Sequence, residues 1–112
     1  MTDIAEVEVS GVSTIIGAGA VLLDVREPEE WEAGHAPGAV HLPLGQLPDR
    51  MTELARDTPV VVVCRSGHRS ALATEWLTTA GFDAANLVGG MREWAHAGMD
   101  IETDDGSPGR VV

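Results

Sequence analysis

The chain contains one cysteine, Cys64, and basic side chains follow it closely at Arg65 and Arg69. All seven lysine or arginine positions are arginine, so two of the seven lie within five residues of the thiol. A thiolate is the reactive form of cysteine, and neighbouring arginines or a helix N-terminus stabilise it. The same donors bind anionic oxygens. These residues predict a nucleophilic cysteine that acts on an anionic substrate.

The residues before and after Cys64 indicate how it is positioned. Four valines at 60–63 are typical of a strand buried on both faces of a parallel sheet, and such a strand delivers Cys64 to the carboxyl edge, where ligands bind. Gly67 allows the following backbone to turn its N–H groups inward as an anion-binding nest. A buried cysteine with no function is the alternative, but two arginines and a turn glycine favour function. The predicted active-site loop consists of Arg65, Ser66, Gly67, His68, Arg69 and Ser70.

Short β-rich runs alternate with helical patterns along the chain, which is typical of crossover units around a mainly parallel sheet. The predicted fold class is therefore α/β, with a central five-stranded sheet and helices on both faces. Helical periodicity predicts helices over 45–55, from about residue 69 to Gly81, and from Met91 to Gly98, and a short helix that opens at Pro28. The predicted strands are 6–10, 21–24, 39–42, 59–63 and 84–87.

Composition limits the possible partners. The 112 residues suffice for one domain, predicted over 1–101, and 102–112 is predicted to be a flexible acidic tail. A net charge of −11 argues against binding to nucleic acid or to an anionic membrane. No apolar run approaches the length of a membrane span, and a lone cysteine suits a reducing compartment, so a cytoplasmic protein is expected. One cysteine also excludes zinc sites built from several thiolates, and neither a metal nor a cofactor is expected.

Over about residues 21–99 the chain resembles the single-domain rhodaneses, a sulfurtransferase family. Four blocks in the family's order carry the resemblance. The first is Leu-Leu-Asp-Val-Arg-Glu at 22–27 with Glu-Trp at 30–31, and the second is Gly-His-Ala-Pro-Gly-Ala-Val-His-Leu-Pro at 34–43. The third block, 60–71, contains the cysteine loop, and the fourth is Asn-Leu-Val-Gly-Gly-Met at 86–91 with Trp94.

The resemblance implies that Cys64 takes a sulfur atom from a small anionic donor such as thiosulfate and carries it as a persulfide. The acceptor would be cyanide, a thiol or a protein. The loop residues 65–70 would bind the donor and stabilise the sulfur anion. Asp24 and Arg26 would support the loop, whereas His35 belongs to a packing motif of the family.

Other activities on a similar cysteine loop remain as alternatives. Phosphatases of the cell-cycle type share the fold but need an arginine six positions after the cysteine, to grip two phosphate oxygens. That position holds Ser70, and Arg69 comes one residue early, so the shorter loop favours sulfur. Arsenate reduction is another variant on this fold. A persulfide carrier or sensing module without broad turnover would preserve the same loop.

Overall fold

The strand of four valines lies at the centre of the sheet. The computed structural model describes residues 3–112, in which all four valines are buried and pair in parallel with strands on both sides. The strand order is β1-β5-β4-β2-β3, so the predicted five-stranded α/β sheet is confirmed. The strands are β1 (Ala5–Val7), β2 (Val21–Asp24), β3 (Val40–His41), β4 (Val60–Val63) and β5 (Ala84–Leu87).

Helices cover both faces of this sheet. Side chains alternate along β4, so Val62 joins a core cluster with Leu77, whereas Val61 joins a second cluster with Val12 and Met91. The helix after β4 therefore packs on one face, and the first and last helices pack on the other. The helices are α1 (Val9–Gly17), α2 (Pro28–Ala33), α3 (Leu47–Arg50), α4 (His68–Thr79) and α5 (Gly90–His96), with 3-10 turns at Leu44–Gln46 and Met51–Glu53.

The N-terminal segment differs from the prediction. The strand predicted at 6–10 ends at Val7, and α1 begins at Val9, so the strand assignment of residues 9 and 10 was wrong. β-Branched residues and glycine lower the helix propensity here. Packing outweighs propensity, because Val12 is fully buried and Ile15 and Ile16 lie against the same cluster.

The helix predicted over 45–55 is divided into three short pieces. A 3-10 turn leads into α3, and a second 3-10 turn follows it. Pro48 lies in the first turn of α3, where its missing N–H is not needed by the helix. Leu47 is fully buried, so the segment still presents an apolar side to the sheet. Within residues 3–112 no helix has both the length and the apolar character needed to cross a membrane.

The C-terminal segment 102–112 has defined contacts. Glu102 forms a bridge with His35, and the Arg110 N–H donates to the Ala33 carbonyl at 2.9 Å. A Cβ built on Gly109 would lie 2.7 Å from the Gly34 Cα, so the two backbones pack closely. The flexibility of this segment stays a prediction.

Candidate active site

Cys64 directly follows β4 at the carboxyl edge of the sheet and is 1 % exposed to solvent. The sulfur accepts a hydrogen bond from the Gly67 N–H at 3.1 Å and lies 3.2 Å from the Ser70 hydroxyl. Gly67 has a φ of 108°, a left-handed conformation that favours glycine, and it caps the N-terminus of α4. The loop thus wraps the sulfur with donors at the positive end of a helix.

Two opposing effects act on the thiol. Burial raises the pKa of Cys64, because a charge is poorly solvated inside the protein. Hydrogen bonds from the Ser70 hydroxyl, and from the N–H groups of Ser70, Gly67 and Ser66, lower this pKa. The hydrogen bonds prevail, and the pKa of Cys64 lies below its ordinary value. The loop therefore favours the thiolate.

The N-terminus of α5 supports the loop from the other side. The Met91 N–H donates to the Cys64 carbonyl at 2.8 Å, and the Arg92 N–H donates to the Arg65 carbonyl at 3.0 Å. Gly90 has a φ of 58°, and a Cβ there would collide with the Cys64 carbonyl oxygen and lie 2.7 Å from that of Arg65. The second glycine of the Gly-Gly turn thus permits the close approach of α5 to the loop.

The two loop arginines both have partners within the described residues. Arg69 is half-buried and forms two hydrogen bonds with the Glu30 carboxylate of α2, at 2.7 and 2.9 Å. These bonds raise the pKa of Arg69, and the same pair lowers the pKa of Glu30. Arg65 is exposed, and its Nε donates to the Val112 backbone oxygen at 2.9 Å. Both guanidinium groups belong to the loop, but their hydrogen bonds go to Glu30 and to the Val112 backbone and not to the sulfur.

Asp24 and Arg26 form a fully buried ion pair after β2, with a shortest distance of 2.7 Å. Arg26 Nη2 also donates to the Gly34 carbonyl at 2.8 Å. In the sheet, Asp24 stands beside Val63, the residue before Cys64. The pair therefore lies next to the cysteine strand, and its side-chain hydrogen bonds hold the Gly34 turn.

The remaining loop residues have different environments. His68 is exposed at the first position of α4, whereas Ser66 is half-buried. Ser70, at the position where a phosphatase would need arginine, is fully buried, and its hydroxyl lies 3.2 Å from the sulfur. His35 stacks on Trp31 at 3.6 Å between ring centroids, as a packing residue would.

Asn86 is a site residue that sequence reasoning did not single out. It lies on β5, is 5 % exposed, and its Oδ1 is 2.6 Å from the Ser70 hydroxyl. Its Nδ2 donates to the Gly67 carbonyl at 3.2 Å. A signal was present, because an asparagine near the end of an otherwise apolar strand needs polar partners once it is buried.

Comparisons with known proteins find relatives that include a sulfurtransferase. A thiosulfate sulfurtransferase, GlpE of Stutzerimonas stutzeri, is 35 % identical over 107 residues, covering 94 % of this chain and 98 % of that protein. The HTH-type transcriptional regulator Rv0324 of Mycobacterium tuberculosis is 40 % identical over 94 residues, which cover 81 % of this chain but 41 % of the regulator. The match to a relative from Bacillus subtilis also covers only part of that protein, 40 % of its length.

The fold is shared with solved structures. The crystal structure of a rhodanese-related protein from Thermoplasma volcanium superposes with a TM-score of 0.82 at 29 % identity, covering 87 % of this chain and 96 % of that one. Residues 9–97 match the model of the Rhodanese-like domain family. This match spans most of the chain and includes the cysteine loop. The chain therefore belongs to the Rhodanese-like domain family.

Proposed function

We propose that the protein is a sulfurtransferase that carries sulfur as a persulfide on Cys64, with thiosulfate or a related sulfane as the donor. Sulfurtransferases among its relatives support sulfur transfer at the family level. The observation that carries the proposal is the sulfur of Cys64 at the centre of a short donor loop, with a pKa lowered by the loop's hydrogen bonds. A lowered pKa raises the fraction of Cys64 present as the nucleophilic thiolate.

The reaction has two half-reactions. The Cys64 thiolate attacks the outer sulfur of thiosulfate, the S–S bond of the donor breaks, and sulfite leaves with the electron pair. A Cys64 persulfide remains. A thiophilic acceptor, cyanide or a thiol, attacks the terminal sulfur, and the Cys64 thiolate is the leaving group. Ping-pong kinetics follow from this covalent intermediate.

The loop would stabilise charge in both half-reactions. The Gly67 N–H already donates to the sulfur, and a terminal persulfide sulfur would need donors of the same kind. The positive charges of Arg65 and Arg69 would attract an anionic donor to a molecule whose net charge is −11. We place this activity in the cytoplasm, where a lone thiol stays reduced.

Intact mass after incubation with thiosulfate tests the proposal. The protein should gain one sulfur atom and lose it on addition of cyanide, and a Cys64→Ser variant should gain none. Equal gain by the variant, or no gain by the native protein, would refute a Cys64 persulfide. The same preparation is assayed with a generic phosphate ester. Phosphate release without sulfur transfer would favour the phosphatase alternative over the sulfurtransferase.

A second candidate is a persulfide carrier or sensing module. The similarity to a segment of a transcriptional regulator favours it, because that segment is part of a longer protein. Both functions load Cys64, but only an enzyme releases many product molecules per chain. Thiocyanate formed per protein molecule over time separates them, since a carrier supplied with thiosulfate and cyanide would discharge too slowly for repeated turnover.

A further inference from the structure

The Ser70 hydroxyl has one proton and two neighbouring acceptors. Its Oγ lies 3.2 Å from the Cys64 sulfur and 2.6 Å from Asn86 Oδ1. A hydroxyl donates one proton at a time, so Ser70 cannot donate fully to both. The 2.6 Å contact is a short O–H···O hydrogen bond, and a neutral thiol sulfur is only a weak acceptor, so the proton lies on the Asn86 side when Cys64 is a neutral thiol.

The orientation of the Asn86 amide is fixed by its other contact. Nδ2 donates to the Gly67 carbonyl at 3.2 Å, so a flipped amide would set Oδ1 against another acceptor. Oδ1 therefore faces Ser70. Both Ser70 and Asn86 are buried, at 0 and 5 % exposure, and a buried acceptor that loses its donor is costly.

We propose that Asn86 is a positioning residue that competes with the Cys64 sulfur for the single Ser70 proton. In the thiol state the Ser70 O–H points to Oδ1, and Oγ can accept from the S–H. When the thiol proton leaves to solvent, the Ser70 O–H turns to the sulfur anion, and Oδ1 loses its donor. Asn86 therefore favours the thiol and offsets part of the stabilisation that Ser70 gives to the thiolate.

The competition would balance the two half-reactions of the proposed function, on whose Cys64 nucleophile this inference rests. The intrinsic nucleophilicity of a thiolate falls as its pKa falls, whereas a thiolate of lower pKa is a better leaving group. Loading needs Cys64 as nucleophile, and discharge needs it as leaving group. By restraining Ser70, Asn86 keeps Cys64 more nucleophilic at some expense of discharge.

Alkylation of Cys64 by iodoacetamide across pH tests the competition without any sulfur donor. Asn86→Leu keeps the branched shape but removes both polar atoms, and the Gly67 carbonyl still accepts from the Ala71 N–H at 3.1 Å. The midpoint of the rate–pH curve should fall by about 0.5–1 pH unit, on the scale of one net hydrogen bond. The plateau rate at high pH should fall roughly two- to threefold, because the freed thiolate is less nucleophilic.

A double-mutant cycle shows whether Asn86 acts through Ser70. Ser70→Ala should raise the midpoint, and adding Asn86→Leu to that variant should then leave the midpoint unchanged. The other charged or titratable groups on the elements around the loop stay the same in all four proteins. They are Asp24, Arg26, Glu27, Glu29, Glu30, Glu32, His41, Arg65, His68, Arg69, Glu75, Arg92, Glu93 and His96.

The opposite sign would overturn the proposal. If Asn86 only braces the loop, its loss would loosen the N–H donors around the sulfur, and the midpoint would stay or rise. An equal shift with and without the Ser70 hydroxyl would also refute it. Circular dichroism and melting curves establish that each variant is folded. If the leucine side chain prevents folding, Asn86→Ala replaces Asn86→Leu. The same fall in the midpoint of the rate–pH curve is expected for it. Failure of persulfide formation would refute the proposed function but would leave the alkylation result intact.

Discussion

At the scale of single residues, the Glu30 carboxylate binds the Arg69 guanidinium, to which the proposed donor anion would also bind. Both oxygens of Glu30 accept from Arg69, so anion binding by Arg69 competes with this pair. Glu30→Gln removes the negative charge and should lower the KM for thiosulfate about two- to fivefold, the range expected from a partly exposed ion pair. Steady-state kinetics at fixed cyanide measures it.

The chain offers a matched control for this change. Arg50 and Glu53 form another pair, linked by two hydrogen bonds at 2.8 and 3.1 Å on the 47–53 segment. Glu53→Gln changes the net charge equally but should leave the KM unchanged, whereas Arg69→Ala should raise it. A similar fall in both glutamine variants would mean that overall charge, and not release of Arg69, sets donor affinity.

The Glu30–Arg69 pair also makes a pH-dependent contribution to stability. The pKa of Glu30 is lowered from its ordinary 4.5, chiefly by the hydrogen bonds from Arg69. A carboxylate with a lowered folded-state pKa stabilises the protein above its unfolded pKa and loses this contribution as pH falls through the folded pKa. Glu30→Gln should therefore reduce the free energy of unfolding at pH 7 and have a smaller effect at pH 3. Urea unfolding at both pH values measures the difference, and an equal loss at both would exclude an electrostatic origin.

At the scale of elements, the loop depends on how closely α5 approaches it. Gly90→Ala places a Cβ against the Cys64 and Arg65 carbonyls. It should therefore push α5 away from the loop and weaken the hydrogen bonds that the Met91 and Arg92 N–H groups donate to these carbonyls. We expect it to destabilise the protein by about 2–4 kcal/mol, from overpacking together with a left-handed backbone, and to slow alkylation of Cys64. Thermal melting and thiol labelling measure the two effects.

Gly98 separates the steric effect from the conformational one. It has a φ of 75°, and a Cβ there would have no atom within 4 Å. Gly98→Ala should therefore cost only about 1–2 kcal/mol, the penalty of a left-handed residue, and should leave thiol labelling unchanged. Equal losses in the two variants would mean that α5 does not need to approach the loop so closely.

The sequence predicts elements best where one signal dominates. The four valines of β4 give its position directly, and β2 and β5 match the predicted 21–24 and 84–87. α1 is missed because it is short, contains Gly11 and has β-branched residues on its buried side, so propensity and packing disagree.

At the site, the cysteine loop is visible as a continuous run of sequence, but its partners are not. Glu30 and Asn86 lie 39 and 16 residues from the side chains that they contact. Each is polar, but the residues around it in the sequence do not indicate which side chain it contacts. Only the order of strands, with β4 between β2 and β5, brings α2 and β5 to the loop.

At the scale of the whole molecule, the 102–112 segment joins distant parts of the fold. A Cβ on Gly34 would lie 2.5 Å from the Arg110 nitrogen, although the φ of 160° at Gly34 is extended backbone that any residue adopts. Gly34→Ala should therefore destabilise the protein by about 1–3 kcal/mol through this contact alone. In a chain shortened to residues 1–101 the same substitution should cost less, because two of the three nearest atoms, both on the Arg110 backbone, are removed.

Thermal melting of four proteins, the long and the shortened chain each with and without Gly34→Ala, measures the coupling between Gly34 and the 102–112 segment. Gly11→Ala serves as the control, since a Cβ there meets no atom within 4 Å and alanine favours the α1 helix. If Gly34→Ala cost the same in the long and short chains, the 102–112 segment would not be packed on Gly34. Amide exchange of the Arg110 N–H would then report directly on the predicted flexibility.

The pairing of β1 with β5 imposes an order of assembly during synthesis. Ala5 lies beside Ala85 in the sheet, so most of the chain lies between two adjacent strands. A ribosome making the chain in the N-to-C direction would release β1 long before β5, and until then β1 would present unpaired backbone groups to other chains. Only three residues long, with two of them acidic or small, β1 is a poor template for such contacts. Its brevity is an advantage during translation, when the strand must wait for its partner.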